Sequence, residues 1–376
     1  MAEITCGGMR IPKYIPQLDG LRGIAILMVL SAHLSYLDQF TFGRLLQYGR
    51  TGVDLFFVLS GFLITGILLD TKESPRYFKN FYARRTLRIW PLYYGMIAAV
   101  FLVFPIFIRH DLLSTDLKTW PYYVTYTQNL FFHFRRSSSL SQTWSLAVEE
   151  QYYMFWAPVV FLCRAKMLRN LLLGMILFSF CLRVGAFFHG ASQEFTYNFT
   201  LCTLEPLAAG GLTALWLRSE KCNVRTWTIC AWMATMIGLA GVSLALIDWG
   251  VASPIFSYPF LAAAFAGVLA LSLTFDPASS LAGRALTQRW LVYTGRISYG
   301  LYLVHVPIYM ATSYLAKRIG GVAPFSVGLQ VFISCVAIAC TYAVASISWF
   351  FFERPILRFK DRFRTPEPVL QGALER

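Results

Sequence analysis

Residues 17–36 read QLDGLRGIAILMVLSAHLSY. At about 1.5 Å of rise per residue, a run of this length spans the ~30 Å hydrocarbon core of a bilayer. Yet Arg22 stands near its start and His33 near its far end. Ionisable side chains inside a spanning helix are costly and mark function more often than accident. Arg22 and His33 are eleven residues apart, and eleven steps of about 100° end roughly 20° past three full turns. Both side chains therefore leave one face of one helix, roughly 16 Å apart along its axis. That face reads as one wall of a polar shaft, with a cation at its rim and an imidazole deeper in. Taken singly, Arg22 can snorkel to headgroups and His33 can pack on a carbonyl. The rest of the chain argues for more.

Of the 376 residues, 57% are hydrophobic and only 14% charged, against roughly 25% charged in globular proteins. The chain reads as an all-α polytopic membrane protein, a bundle of about ten spans near 18–38, 52–70, 89–108, 144–163, 167–188, 199–217, 227–248, 256–275, 291–313 and 326–351. A net charge of +14 would suggest nucleic acid in a soluble protein. Here the basic residues fall in short connections, so they indicate topology and anionic-lipid contact instead. With the N-terminus inside, Lys72, Arg76, Lys79, Arg84, Arg85, Arg88, Arg164, Lys166, Arg169, Arg218, Lys221 and Arg225 all lie on the inner side. Both termini are thus expected in the cytoplasm, with no cleavable signal peptide ahead of the first span. Residues 1–358 form the membrane domain and 359–376 a basic cytoplasmic tail. Residues 121–134 are aromatic enough to hold a re-entrant or interfacial segment. The eight cysteines form no CxxC pair and read as small buried hydrophobes, without a disulfide frame or a metal site.

Counting inward from the outer loops, His33, Asp54, Glu149, Glu150 and Glu205 fall within roughly 10 Å of one depth. Acids and a histidine at one level suggest a shared polar cavity in the outer half of the bilayer. A carboxylate that orients a histidine makes a general base; the same residue types also build proton relays. At the inner side, YARRTLRIWP (82–91) opens the third span with Arg85 and Arg88 at i and i+3, hence on one face. Two guanidinium forks at a helix start suit a phosphate-rich ligand, although inner-interface arginines also anchor lipid headgroups. Gly61, Gly66, Gly210 and Gly211 allow close helix approach. Ser60 reads as bonded to its own backbone, and Arg183 and His305 as structural polar groups.

These residues together resemble a known family. PQLDGLRGIAILMVLSAH, GVDLFFVLSGFLIT, FYARRTLRIWPLYY, TWSLAVEEQYY, ISYGLYLVHVPI and FFERPI occur in this order, as in the acyltransferase-3 family of bacterial integral-membrane O-acyltransferases. The resemblance covers about residues 14–358, and it implies an inner-membrane enzyme. It implies an acyl-CoA donor, usually acetyl-CoA, used from the cytoplasmic side, with no metal. The acceptor would be a hydroxyl of a carbohydrate, a lipid-linked glycan or a small molecule. The family's arginine–histidine motif falls on Arg22 and His33, its RxxR on Arg85 and Arg88 with Arg84 beside them, and its WSLxxE on Trp144, Ser145, Leu146 and Glu149. So His33, supported by Asp54 or Glu149, is expected as base, and Arg22, Arg84, Arg85 and Arg88 as donor-binding residues. Trp144, Ser145, Glu150 and Glu205 are expected near the acceptor. Some family members add an extracytoplasmic SGNH domain. None is expected here, so the group would pass directly to the acceptor or through a separate extracytoplasmic transfer protein. The competing reading is a proton-coupled transporter or flippase of a glycosyl or acyl lipid, for which the RxxR pair has no obvious use.

Overall fold

The computed structural model describes residues 4–6, 9–11, 14–33, 46, 48–103, 117–130, 139–248, 253–320 and 326–363. Among them, ten helices of fourteen residues or more carry the chain. These are α1 (Pro16–Ala32), α2 (Gly52–Asp70), α3 (Tyr77–Ala98), α4 (Trp144–Leu162) and α5 (Ala165–Phe188). There follow α6 (Leu204–Leu217), α7 (Val224–Asp248), α8 (Ser253–Ser272), α9 (Ser298–Gly320) and α10 (Val327–Ser348). Six stretches, built on α2, α3, α5, α7, α8 and α10, are long and apolar enough to cross a membrane. α1 stops at Ala32 because His33 leaves helical geometry (φ −94°, ψ 3°); residues 34–38 of the expected first span lie outside the described residues. The expected aromatic segment contains a five-residue helix, Trp120–Val124. Tyr126 follows with φ 53° and stacks on Tyr93 at 4.4 Å between ring centroids; residues 131–134 lie outside the described set.

Apart from a hairpin of three-residue strands, in which Ile4–Cys6 pairs antiparallel with Met9–Ile11, Ile4 opposite Ile11, the regular structure of the described residues is helical, as expected of an all-α bundle. Gly7-Gly8 between two short apolar-polar runs is a two-residue hairpin signal that helical periodicity hides. One expectation needs correction: not every cysteine is uncrosslinked, since Cys222 is disulfide-bonded, whereas Cys163, Cys181, Cys202, Cys230, Cys335 and Cys340 are free.

α2 is the hub of the bundle. Its apolar stretch is 72% buried, against 17% for α5, where Leu171, Leu173 and Leu177 face outward. α1, α4, α6 and α8 all pack on it. The α2–α6 crossing is tight because neither backbone carries a Cβ at the contact. A Cβ on Gly61 would stand 2.0 Å from the Leu207 carbonyl oxygen, and one on Gly210 would stand 2.0 Å from that of Val58. Small residues in this way replace the hydrophobic drive that is missing between helices in lipid. On the other side of α2, α1 is held against the short helix Arg289–Arg296 that precedes α9. A polar passage remains between α1, α2, α3, α4 and α9.

Candidate active site

Two adjoining cavities share Arg22, Leu63, Arg85 and Arg88 and together form this passage. One end is cationic: Arg22, Arg84, Arg85, Arg88 and Lys360 line it with Asn80 and Thr71, and among the described residues no carboxylate does. Arg85 and Arg88 share a helix face, as one turn of spacing requires. Two neighbours fix the guanidinium groups. Asp19, one turn before Arg22, accepts its Nη1 at 2.9 Å and also accepts the Tyr14 hydroxyl at 2.9 Å. Arg85 lies over the Tyr153 ring, 5.3 Å from its centroid, a cation–π contact that holds the fork without neutralising it. Lys360 lies beyond the α10 span. Burial, followed by the charges of Arg88, Arg84, Arg85 and Arg22, lowers its ammonium from 10.5 to about 7.

Further along, the passage is lined by Phe56, Phe57 and Leu59 together with a hydroxyl–carboxylate chain. The Tyr153 hydroxyl donates to Ser60 Oγ at 3.1 Å, and Ser60 donates in a short hydrogen bond to Glu149. Beyond it, the Tyr302 hydroxyl donates to the Gln142 carbonyl at 2.9 Å, which leaves it to accept from Ser145 Oγ at 2.6 Å. The Tyr302 ring then meets His305 at 5.6 Å, and His305 meets His33 edge-on at 4.7 Å. Each imidazole puts Nδ1 on a backbone carbonyl, His33 on Val29 at 2.9 Å and His305 on Tyr302 at 2.6 Å. A carbonyl only accepts, so both Nδ1 atoms carry the proton and both Nε2 atoms keep a lone pair. Nε2 of His305 is buried and makes no hydrogen bond among the described residues.

The sequence-predicted residues separate into groups. Arg22, Arg84, Arg85 and Arg88 converge on the cationic end, and Ser145 and Glu149 line the same passage. His33 lies past Tyr302, at the opposite end of α1 from Arg22. The one-depth arrangement of acids does not form around His33: among the described residues no carboxylate hydrogen-bonds it. Glu205 is locked to Arg183 by contacts of 2.5 and 2.7 Å, both side chains fully buried, and Asp54 lies in the field of that pair. Depth along a helix carries no azimuth. Asp54 and Ser60 are six residues apart on α2, about 600° or some 120° off in direction, so only one of them faces the passage. Glu150 accepts from the Trp90 indole at 3.0 Å. Trp144 packs between Phe57 at 6.0 Å and Tyr197 at 4.8 Å. Neither lines the passage.

Asp19, Ser60, Tyr153, Tyr302 and His305 were not expected at the site. Asp19 was readable as an acid one turn before Arg22, and Tyr302 and His305 as an i, i+3 pair. The partners of Ser60 and Tyr153 are long-range and left no sequence signal. Among the described residues, no group of three or more His, Cys, Asp or Glu side chains is placed to hold a metal ion.

The chain is 28% identical to the peptidoglycan O-acetyltransferase OatA of Listeria monocytogenes over 92% of its length and 56% of the relative's. It is 27% identical to the putative peptidoglycan O-acetyltransferase YrhL of Bacillus subtilis, over 92% and 55%. To the O-acetyltransferase OatA of Staphylococcus aureus it is 28% identical, over 93% and 58%. The chain thus spans little more than half the length of these curated relatives. No solved structure matches it. The acyltransferase domain profile of the acyltransferase-3 family covers residues 15–345, and the chain belongs to that family.

Proposed function

We propose that this protein is a multi-pass inner-membrane O-acyltransferase that moves an acyl group, acetyl in the simplest case, from acyl-CoA to a hydroxyl of an envelope carbohydrate. The observation that carries this reading is the asymmetry of the passage. A cluster of five cations at one end, with no carboxylate among the described lining residues, leads to a hydroxyl-lined stretch that ends at Tyr302, whose ring lies against His305 and, through it, His33. The cluster matches the several phosphates of CoA, and guanidinium forks are the donors best suited to them. The thioester arm extends past Arg22 and Ser60 towards Tyr302. Arginines that bind from the cytoplasmic face and an acceptor that enters from the outer face suit a reaction carried across the membrane. The three relatives bear names of O-acetyltransferases, two of them of peptidoglycan, which favours a cell-wall sugar hydroxyl as acceptor.

In the proposed step, Nε2 of His33 takes the acceptor's hydroxyl proton as the oxygen attacks the thioester carbonyl. The C–S bond breaks, and the proton passes to the departing CoA sulfur. A positioned base of this kind contributes roughly 10²–10⁴-fold. His305, edge-on to His33, is the positioning residue in the place where a carboxylate was expected. Glu149, at the end of the Ser60–Tyr153 chain, steadies Arg85 from the passage side. The test is transfer of labelled acetyl from acetyl-CoA to isolated peptidoglycan fragments by protein in proteoliposomes. Wild type labels the fragments, and His33→Ala, folded and inserted, loses at least about a hundredfold of the rate. A His33→Ala protein that transfers at the wild-type rate overturns the mechanism.

A further inference from the structure

After α10 the chain turns through Trp349–Glu353, Arg354–Arg358 and Phe359–Phe363. This last segment packs back against α3 and puts Lys360 into the cavity lined by Arg22, Arg84, Arg85 and Arg88. The sequence assigns Lys360 to a tail outside the membrane domain, but the fold makes it a wall of the passage. Its position is electrostatically unfavourable in the empty protein. α1 contributes the Arg22 guanidinium and α3 those of Arg84, Arg85 and Arg88; Asn80 and Thr71 are uncharged. Asp19 does not line the cavity; it pairs with Arg22 at 2.9 Å and with Arg296 at 3.8 Å. Among the described residues Lys360 has no hydrogen bond or ion pair. An ammonium is the more strongly hydrated cation and sheds its proton more readily than a guanidinium when buried, in keeping with the lowering of Lys360 to about 7. A multiply charged anion would make a fifth cation here favourable.

We propose that Lys360 is a phosphate-binding residue of the donor site, so that the segment after α10 closes over the phosphate-bearing end of the bound nucleotide. This rests on the acyl-CoA reading above. It adds that the last described turn of the chain is part of the binding site. The bound anion draws a proton onto Lys360, so above pH 7 binding takes up protons and weakens as pH rises. Guanidinium groups, charged throughout, give no such dependence.

The test is calorimetric titration of CoA into the full chain in neutral detergent, for wild type, Lys360→Met and Lys360→Arg, at pH 6.5 and 8.5. Loss of one charge-assisted phosphate contact predicts CoA affinity about ten- to a hundredfold weaker in Lys360→Met, and Lys360→Arg within a few-fold of wild type. The pH dependence disappears in both variants. Without ligand, Lys360→Met melts at a higher temperature than wild type, because a buried like charge has been removed; a merely structural lysine would lower it. Lys360→Met with wild-type CoA affinity overturns the proposal and leaves the acyl-CoA reading intact. Wild type that binds no CoA overturns both. A parallel titration with phosphatidylglycerol against phosphatidylcholine nanodiscs separates the sources of phosphate. If Lys360→Met loses affinity for phosphatidylglycerol alone, the residue binds lipid headgroups and the proposal fails.

Discussion

The two histidines beyond Tyr302 differ in what their surroundings let them do. His33 caps α1, where the helix ends and its Nδ1 is taken by Val29. His305 sits in mid-helix with its Nδ1 on Tyr302 and its Nε2 buried without a hydrogen bond among the described residues. If His33 is the base, His305 acts through the edge contact between the rings, and its loss changes the chemical step alone. His305→Gln is expected to lower kcat by roughly ten- to a hundredfold while KM for acetyl-CoA stays within about twofold, because the arginines proposed to bind the donor lie at the far end of the passage. Steady-state kinetics by thiol release measures both. A rise in KM with kcat unchanged would place His305 in donor binding instead. The sequence made Arg22 and His33 legible because they share one helix and simple periodicity relates them. The partner of His33 comes from α9, and no periodicity links the two helices.

At the scale of the element, α2 separates two polar systems that a depth count merges. Ser60 faces the passage and Glu149, whereas Asp54 faces the Arg183–Glu205 pair on α5 and α6. That pair is a fully buried fork in which Arg183 also donates to the Cys202 carbonyl at 2.6 Å. Removing one member of such a pair leaves an uncompensated charge and costs about 3–5 kcal/mol. Glu205→Ala is therefore expected to lower the melting temperature sharply and reduce the folded yield. The molecules that do fold should turn over acetyl-CoA at the wild-type rate per mole. Thermal unfolding by intrinsic fluorescence, with activity normalised to monodisperse protein, checks both. A stable Glu205→Ala protein with impaired turnover would return Glu205 to the acceptor site where its depth first placed it. The glycines at the α2–α6 crossing were readable as packing residues. The faces they bring together were not, because apolar all-round helices such as α2 hide which side meets which neighbour.

Across the whole molecule, the helical membrane architecture was legible from hydropathy, since a bilayer leaves the backbone few alternatives. The cationic end was legible in part. Arg84, Arg85 and Arg88 advertise themselves within five residues, and Arg22 joins them through the motif of the first span. Lys360 could not be read this way, because the turn that returns it to α3 depends on tertiary packing. If the cationic end binds the donor and His33 is the base, the two kinds of damage should be kinetically distinct. The most direct test is the rate of free CoA thiol release from acetyl-CoA by purified protein in liposomes supplied with peptidoglycan fragments. Wild type, His33→Ala and Arg85→Ala/Arg88→Ala are compared over a range of acetyl-CoA. The expected result is release by wild type, none above background with His33→Ala at any concentration, and a KM raised at least about tenfold in the arginine variant. Equal release by wild type and His33→Ala, or an arginine variant with unaltered KM, would contradict the assignment of donor and base to the two ends of this passage.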